Sequence, residues 1–203
     1  MGARSGFAVI VLLFALAACG RHDAGPSAAA VAIEKGDICA VCGMYIEGQS
    51  GPRGEAYETG LSKPLKFGST RDFFAFVTQP DEVHRLGALY VQDAARIDWA
   101  HPSDAAASFT DARKATYVAW QPKPGAMGPT FAAFAKRAAA EAFRARNGGV
   151  LLHFSQITPA VVSTLDYRCP AVNSPLHVLT RDCLIRMSAG AAPPAMPMPM
   201  PMH

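Results

Sequence analysis

The chain has 203 residues, which is enough for one medium-sized domain or two small ones. Hydrophobic residues make up 50% of the sequence, charged residues only 17%, and the formal net charge is +3. This globular composition excludes a disordered chain, and the small net charge without a basic run argues against nucleic-acid binding.

Residues 1–18 carry the features of an export signal. Arg4 supplies a positive charge, and the apolar run 7–16 is too short to span a membrane. The run leads into Leu-Ala-Ala-Cys, which resembles a bacterial lipobox with Cys19 as the lipidated residue. We therefore predict a lipoprotein signal peptide, export to the periplasm and a lipid anchor in a membrane. Gly20 leaves the outer membrane open as the destination, and an ordinary secretory signal with a chance cysteine is the alternative.

The first predicted elements follow a small, polar segment. Residues 19–32 predict a flexible tether, so the folded domain should begin near Ile33. The stretches GEAYETG and KPLKFGS alternate and are broken by glycine and proline, which predicts a hairpin of two short strands. Ser69 or Thr70 should then cap a helix over RDFFAFVTQ that ends before Pro80.

A second unit of similar size comes next. ALYVQDA and ATYVAWQP predict strands, and KPGAMGP predicts a Gly/Pro loop. Pro129 suits the start of a helix from Thr130 to Arg146, which Gly148-Gly149 would end. That helix would carry an apolar stripe formed by Phe131, Phe134, Ala138, Ala142 and Phe143. VLLHFSQI predicts a closing strand.

The order of these elements predicts an α+β fold. Residues 33–159 should form two small β-β-α-type halves, with helices packed on antiparallel strands. Residues 160–190 are predicted as a C-terminal extension that adds a short cap. Residues 191–203 are rich in alternating Met and Pro, which predicts a disordered, extended tail.

Four cysteines remain once Cys19 is assigned to lipidation. In an oxidising compartment cysteines form disulfides, and we assign Cys169 and Cys183 to a possible structural bridge. Cys39 and Cys42 are then left for chemistry.

The segment CAVCGMYI contains a thiol and a thioether two residues apart, Cys42 and Met44. Both are soft sulfur ligands, which favour Cu(I) over hard cations. Gly43 lets the backbone turn so that both sulfurs can face one ion. Met127, flanked by Ala126 and Gly128 in a loop, is a candidate third ligand; the alternative is that it fills a gap in the core.

The same segment also contains a CxxC pair, Cys39 and Cys42. A structural zinc site needs four ligands, but no second pair has matching spacing, and His84 and His101 lie on polar segments where solvation is expected. A thiol–disulfide oxidoreductase needs CxxC at a helix N-terminus, and the residues after Cys42 have a poor helix pattern. Cys39 remains a possible auxiliary copper ligand.

The C-terminal tail holds a second group of possible auxiliary ligands. They are Met196, Met198, Met200, Met202 and His203. Methionine is an unusual choice for a solvated tail because it is apolar and oxidisable. We hypothesise that the tail captures Cu(I) weakly and passes it to the folded site; a low-complexity tail without function is the alternative.

Motifs of catalysis are missing from the sequence. It has no G-x-S-x-G, no phosphate-binding loop and no H-E-x-x-H, so the chain is predicted not to be an enzyme. The charged residues of STRDFF and TDARK form no evident acid–base pair and are expected on solvated surface with helix-capping roles.

Six stretches of the sequence form an ordered series of motifs. They are GDICAVCGMYI, GEAYETG, KFGSTRDFFAFVTQP, YVQDAARIDWAHP, FTDARKATYVAW and GAMGPTFAAFAKRAAAEAF. Together they resemble the NosL family of nitrous oxide reductase accessory lipoproteins. The resemblance runs from about Ile33 to Pro159, and the lipobox agrees with it independently. Gly68 stands where the family pattern often has a cysteine, and residues after Pro159 fall outside that pattern.

The resemblance implies a membrane-anchored periplasmic Cu(I) chaperone. It would serve the copper-sulfide centre of nitrous oxide reductase, together with an ABC-type maturation complex. It also implies two β-β-α-type halves, copper ligands at Cys42 and Met44, and a third ligand at Met127 in the second half. A zinc-binding or structural lipoprotein scaffold stays the alternative, and a thiol–disulfide oxidoreductase the weaker one.

Overall fold

The computed structural model describes residues 28–165 of the chain. The predicted signal peptide and lipidated Cys19, the possible Cys169–Cys183 bridge and the Met/Pro tail lie outside the described residues. Among residues 28–165, every helix is too short or too polar to cross a membrane.

The first half is a four-stranded antiparallel sheet with a helix packed on one face. Its elements are β1 (Gly54–Glu58), β2 (Leu65–Phe67), α1 (Thr70–Val77), α2 (Pro80–Val83), β3 (Leu86–Gln92), a 3-10 turn (Ala106–Ser108) and β4 (Phe109–Asp111), and the strand order is β2-β1-β3-β4. The predicted hairpin and the predicted helix are confirmed. Ser69 caps α1, because its side chain accepts a hydrogen bond from the Asp72 N–H.

The second half is a three-stranded antiparallel sheet with a small hairpin inserted in it. Its elements are β5 (Thr116–Ala119), β6 (Pro124–Gly125), β7 (Gly128–Pro129), β8 (Ala132–Phe134), α3 (Arg137–Asn147), β9 (Val150–His153), a 3-10 turn (Phe154–Gln156) and α4 (Pro159–Ser163). The sheet order β8-β5-β9 repeats the β2-β1-β3 order of the first half, with the first strand central in both. The α+β prediction of two β-β-α-type halves is confirmed, and each half closes with a further strand after its helix.

The helix predicted from Thr130 to Arg146 is wrong over residues 130–136. Residues 132–134 form strand β8, and the helix begins only at Arg137. Phe131 and Ala133 face the main core while Ala132 and Phe134 face a second core under α3. A strand buried on both faces lacks the alternation of polar and apolar residues that marks a strand. Phe131 and Phe134 of FAAF are also spaced i, i+3, which is typical of a helix.

The main core lies between the two halves. Sheet one and α1 supply Phe67, Phe73 and Phe74 to it, and the second half supplies Tyr117 of β5 and Phe131, which precedes β8. Helix α4 begins at Pro159, the predicted end of the domain, and buries Val161 and Val162 in this core. Leu165, just after the helix, is buried there too. The folded unit therefore extends at least to Leu165.

Residues 28–32 fall within the segment predicted as a tether, but they lie against the other face of sheet one. The hydroxyls of Tyr90 and Tyr57 donate to the carbonyls of Ala28 and Ala29 at 2.8 and 2.7 Å. The Val31 N–H donates to the Glu55 carboxylate at 3.1 Å. Residues 28–32 take part in these bonds through their backbone groups, so their alanine-rich composition gave no sign of the bonds. We call residues 28–33 the N-terminal strap.

Candidate metal centre

Residues 37–46 form a compact turn, which we call the CxxC loop. The Cys39 N–H donates to the Met44 carbonyl and the Gly43 N–H donates to the Cys39 carbonyl, each at 2.9 Å. Ile38 and Tyr45 form an isolated antiparallel bridge at the base of the loop. Gly43 has φ +71°, which glycine adopts without strain. The turn therefore brings Cys39, Cys42 and the Met44 backbone into one small volume.

The CxxC loop is anchored to sheet one by packing and by hydrogen bonds. Cys39 and Ile46 are buried in a small apolar cluster with Ile33 and Phe109. The Ala40 N–H donates to the Lys66 carbonyl at 2.9 Å, which attaches the loop to the edge strand β2. Because β2 leads directly into α1, this attachment places the cysteines beside the first turn of that helix.

Asp72, in the first turn of α1, completes a group of three possible metal ligands. One of its carboxylate oxygens lies 3.6 Å from the Cys39 sulfur and 3.9 Å from the Cys42 sulfur. The ligand atoms of these three residues all lie within 4.8 Å of one another. Ser69 Oγ donates to the same carboxylate oxygen at 3.0 Å, which holds Asp72 in place.

Sequence reasoning missed Asp72 as a site residue. For Asp72 the expectation of solvated surface is wrong, because the residue is only 6% exposed. The side-chain cap of α1 is Ser69, and Asp72 lies in the first turn of the helix. The spacing of Ser69 and Asp72 marks a helix start. It carries no sign that this helix start would face two cysteines, since their meeting depends on the loop joining β2.

The surroundings of Cys42 favour a neutral thiol when no metal is bound. Burial raises the pKa of the Cys42 thiol, a hydrogen bond from the Met44 backbone N–H lowers it, and Cys39 and Asp72 raise it further. The net shift is upward. A metal that takes this thiolate therefore displaces a proton.

The hairpin β6–β7 of the second half lies close to the CxxC loop and the start of α1. A Cβ at Gly68 would lie 3.6 Å from the Ala126 Cβ and 3.8 Å from the Cys39 Cβ, so Gly68 separates the hairpin tip from the CxxC loop. A Cβ at Gly125 would lie 3.3 Å from the Ser69 Cβ. Met127 occupies this tip, at the junction of the two halves.

The predicted site residues are brought together to different extents. Cys39, Cys42 and Met44 share the CxxC loop, and Met127 lies next to Ala126 on the facing hairpin. Met44 and Met127 are 39% and 47% exposed, so neither is a core methionine. His84 and His101 are exposed, as predicted. The possible auxiliary ligands Met196, Met198, Met200, Met202 and His203 lie outside the described residues.

Comparisons with known proteins agree on one family. The sequence profile of the NosL family matches residues 30–162. The chain is 36% identical over 154 residues to the "Copper-binding lipoprotein NosL" of Stutzerimonas stutzeri, covering 75% of this chain and 79% of the relative. It is 29% identical over 167 residues to the protein of the same name from Achromobacter cycloclastes, covering 81% and 86%.

A solved structure is also similar. The crystal structure of the copper chaperone NosL from Shewanella denitrificans matches with a TM-score of 0.63 and 40% sequence identity. The match covers 67% of this chain and 99% of that chain. Cys39, Cys42, Met44, Asp72 and Met127 all lie within the residues that the family profile matches.

Proposed function

The chain belongs to the NosL family, and from this membership we propose that it is a metallochaperone that binds Cu(I) through Cys42, Met44 and Met127. Thiolate and thioether sulfurs favour this soft cation over hard ones. One observation carries the proposal: the partly buried Cys42 sulfur shares its loop with an exposed methionine, and a second exposed methionine lies on the facing hairpin. A site that is open on one side lets the ion leave by ligand exchange.

The proposed cargo route ends at the copper-sulfide centre of nitrous oxide reductase. We propose that the chain acts there with an ABC-type maturation complex, held on the periplasmic side of a membrane by lipid on Cys19. Family membership and the lipoprotein names of the relatives support this route. Deletion of the gene followed by spectroscopy of the reductase tests it, and a centre that assembles normally without the protein would refute delivery.

Copper binding itself is tested by anaerobic Cu(I) titration against a competing chelator. We expect Cys42→Ser to weaken the affinity by roughly a hundredfold or more, and Met44→Leu and Met127→Leu by roughly tenfold each, a factor that corresponds to about 1.4 kcal/mol. Val83→Ala is the control, because Val83 is an exposed apolar side chain in α2. Tight binding that survives in Cys42→Ser would overturn the assignment.

A second candidate function rests on Cys39, Cys42 and Asp72. Two thiolates and a carboxylate are ligands that zinc accepts, which favours a zinc-binding scaffold. If this group holds zinc, Asp72→Asn should weaken zinc binding by roughly tenfold and leave the Cu(I) affinity of the chain unchanged. Equal losses of zinc and Cu(I) affinity in Asp72→Asn would show that the two metals do not use separate ligand sets. Zinc that stays bound through purification, together with unfolding of the protein when a chelator removes it, would favour the scaffold.

A further inference from the structure

The hairpin β6–β7, which carries Met127 at its tip, is too small to fix its own position. Each strand has two residues, and the paired residues are Pro124 with Pro129 and Gly125 with Gly128. Proline has no N–H to donate, and glycine has no side chain to pack. An isolated two-stranded hairpin is at best marginally stable in water. Contacts with other parts of the molecule must therefore set where Met127 lies.

Trp99, in the connection between β3 and β4, makes such contacts. Its indole N–H donates to the Pro124 carbonyl at 2.7 Å. Its ring stacks on the Phe143 ring of α3, with the centroids 6.0 Å apart and an interplanar angle of 19°. The Lys123 ammonium lies over the Trp99 ring, 5.4 Å from its centroid. Trp99 therefore joins the first strand of the hairpin to the helix of the second half.

The backbone at Trp99 is itself held in place. The Gly51 N–H donates to the Trp99 carbonyl at 2.8 Å. Gly51 also lies against the hairpin, because a Cβ at this position would be 3.0 Å from the Gly125 Cα. Only Pro52 and Arg53 separate Gly51 from β1. Trp99 thus connects the hairpin to sheet one as well as to α3.

We propose that Trp99 is a positioning residue for copper binding: it restrains the hairpin β6–β7 through the Pro124 carbonyl and so holds Met127 beside the CxxC loop. The inference rests on the proposed copper site. Trp99 does not bind the ion; it reduces the freedom that Met127 loses when its thioether joins the Cys42 thiolate on the metal. A ligand that is already in place costs less entropy to bind, and groups that orient it raise the affinity without touching the metal.

The base of the hairpin is held separately by buried groups. The Gln121 side-chain amide donates to the carbonyls of Lys123 and Thr130 at 2.7 and 2.9 Å, and Gln121 and Thr130 are 5% and 1% exposed. The hydroxyls of Thr130 and Thr70 are hydrogen-bonded at 2.8 Å, which ties this base to α1. The hairpin should therefore stay attached to the domain when the Trp99 hydrogen bond is removed. What is lost is the restraint on the strand that leads to Met127.

The test is anaerobic Cu(I) titration against a competing chelator, with the lipid-free mature chain, residues 20–203. Trp99→Phe removes the indole hydrogen bond and keeps an aromatic ring. Trp120→Phe is the matched control, because the Trp120 indole N–H donates to the Thr164 carbonyl, at the end of α4, at 3.0 Å. We expect Trp99→Phe to weaken the Cu(I) affinity by roughly threefold to tenfold and Trp120→Phe to leave it unchanged.

The double variant Trp99→Phe/Met127→Leu decides whether Trp99 acts through Met127. Once the thioether is gone, Trp99→Phe should cause no further loss of Cu(I) affinity. A merely structural role of Trp99 would instead give the same loss with and without the thioether.

A second variant changes only the indole N–H. Trp99 and Trp120 are the two tryptophans of the chain, so in Trp120→Phe the analogue β-(3-benzothienyl)alanine can replace Trp99 alone, with sulfur in place of the N–H. The same loss of affinity is expected, which keeps the test decisive if Trp99→Phe does not fold.

Unchanged affinity when Trp99 is altered, or an equal loss with and without the Met127 thioether, would overturn the inference while Cys42-dependent copper binding stands. If Met127→Leu alone costs no affinity, Met127 leaves the proposed ligand set, and this role of Trp99 falls with it. Copper binding that does not depend on Cys42 would instead refute the proposed function.

Discussion

Glu55 places a carboxyl group in the interior, beneath the N-terminal strap. The residue is fully buried, one oxygen accepts the Val31 N–H at 3.1 Å, and the other has no hydrogen-bond partner. Burial raises the pKa of Glu55 to about 7, although the Val31 N–H and the nearby Lys66 ammonium lower it. An ionised Glu55 is therefore a cost to the folded state, because the single hydrogen bond replaces only part of its hydration.

We predict that Glu55→Gln stabilises the protein at high pH only. The unfolded carboxyl group ionises near its ordinary value of 4.5 and the folded one near 7, so the folded state binds more protons between these values. Stability consequently falls as the pH rises through this window, and the full cost is present above it. Urea unfolding at pH 8 should show a gain of roughly 1–2 kcal/mol for Glu55→Gln, and little or no gain at pH 5.

The exposed Glu47 supplies the control, since Glu47→Gln removes a carboxylate from solvent and should change the stability little at either pH. A gain for Glu55→Gln that is equal at pH 5 and pH 8 would contradict the assigned cause, because it would not follow the ionisation of the carboxyl group.

At the scale of elements, one cysteine of the CxxC loop, Cys42, belongs to two possible sets of metal ligands. Cys42 belongs with Cys39 and Asp72 on the side of α1 and, in our proposal, with Met44 and Met127 on the side of the junction. Cys39 is buried and Cys42 is partly exposed, and both are free thiols. The loop is therefore open to oxidation as well as to metals.

We predict that oxidation of the CxxC loop removes Cu(I) binding. The two sulfurs lie within 4.8 Å of each other, so diamide can take two electrons and two protons from the thiols and leave a Cys39–Cys42 disulfide. That bond consumes the Cys42 thiolate, which binds copper in our proposal. Treatment with diamide, followed by alkylation, peptide mapping and anaerobic titration, should show loss of Cu(I) binding together with this bridge.

Prior loading with Cu(I) should protect both thiols, and Cys39→Ser should keep copper binding after the same treatment. An oxidised chain that carries the mapped Cys39–Cys42 bridge and still binds Cu(I) tightly would exclude Cys42 as a ligand. Catalysed reduction of a protein disulfide by this pair would favour the oxidoreductase alternative.

The sequence predicts the local structure of these elements well and the tertiary contacts between them poorly. Helix α1 was predictable because its cap at Ser69 and its apolar face lie within ten residues. Strand β8 was missed because burial on both faces removes the alternation that marks a strand. Gly43, between Cys42 and Met44, indicates a turn from sequence alone. The approach of Asp72 to Cys39 was beyond sequence reasoning, because it depends on the hydrogen bond from the Ala40 N–H to β2.

At the scale of the whole molecule, the two halves share one core. Phe74 of α1 packs edge-on against Tyr117 and Phe131 of the second half, with ring centroids 5.0 Å apart in both pairs. The Thr70 hydroxyl donates to the Phe131 carbonyl at 2.6 Å. Neither half can bury these aromatic rings alone, so the described domain is expected to unfold in one cooperative step.

We predict that Cu(I) raises the temperature of this single transition, and that Met127 carries part of the effect. The proposed ligands come from both halves, so bound copper links them across their junction. At a free Cu(I) concentration of 100 times Kd the stabilisation is about 2.7 kcal/mol, and for a domain of this size the transition should move by roughly 8 °C. Anaerobic differential scanning calorimetry in a chelator-buffered Cu(I) solution measures both quantities.

The comparison that decides the point is Met127→Leu. This substitution replaces an exposed side chain with one of similar size, so the metal-free transition should stay where it is in the wild type. At the same free Cu(I) concentration the shift should be smaller, since the weaker affinity lowers the ratio of free ion to Kd. Two resolved transitions would contradict the shared core, and an undiminished shift in Met127→Leu would remove Met127 from the ligand set while leaving Cys42 and Met44 in it.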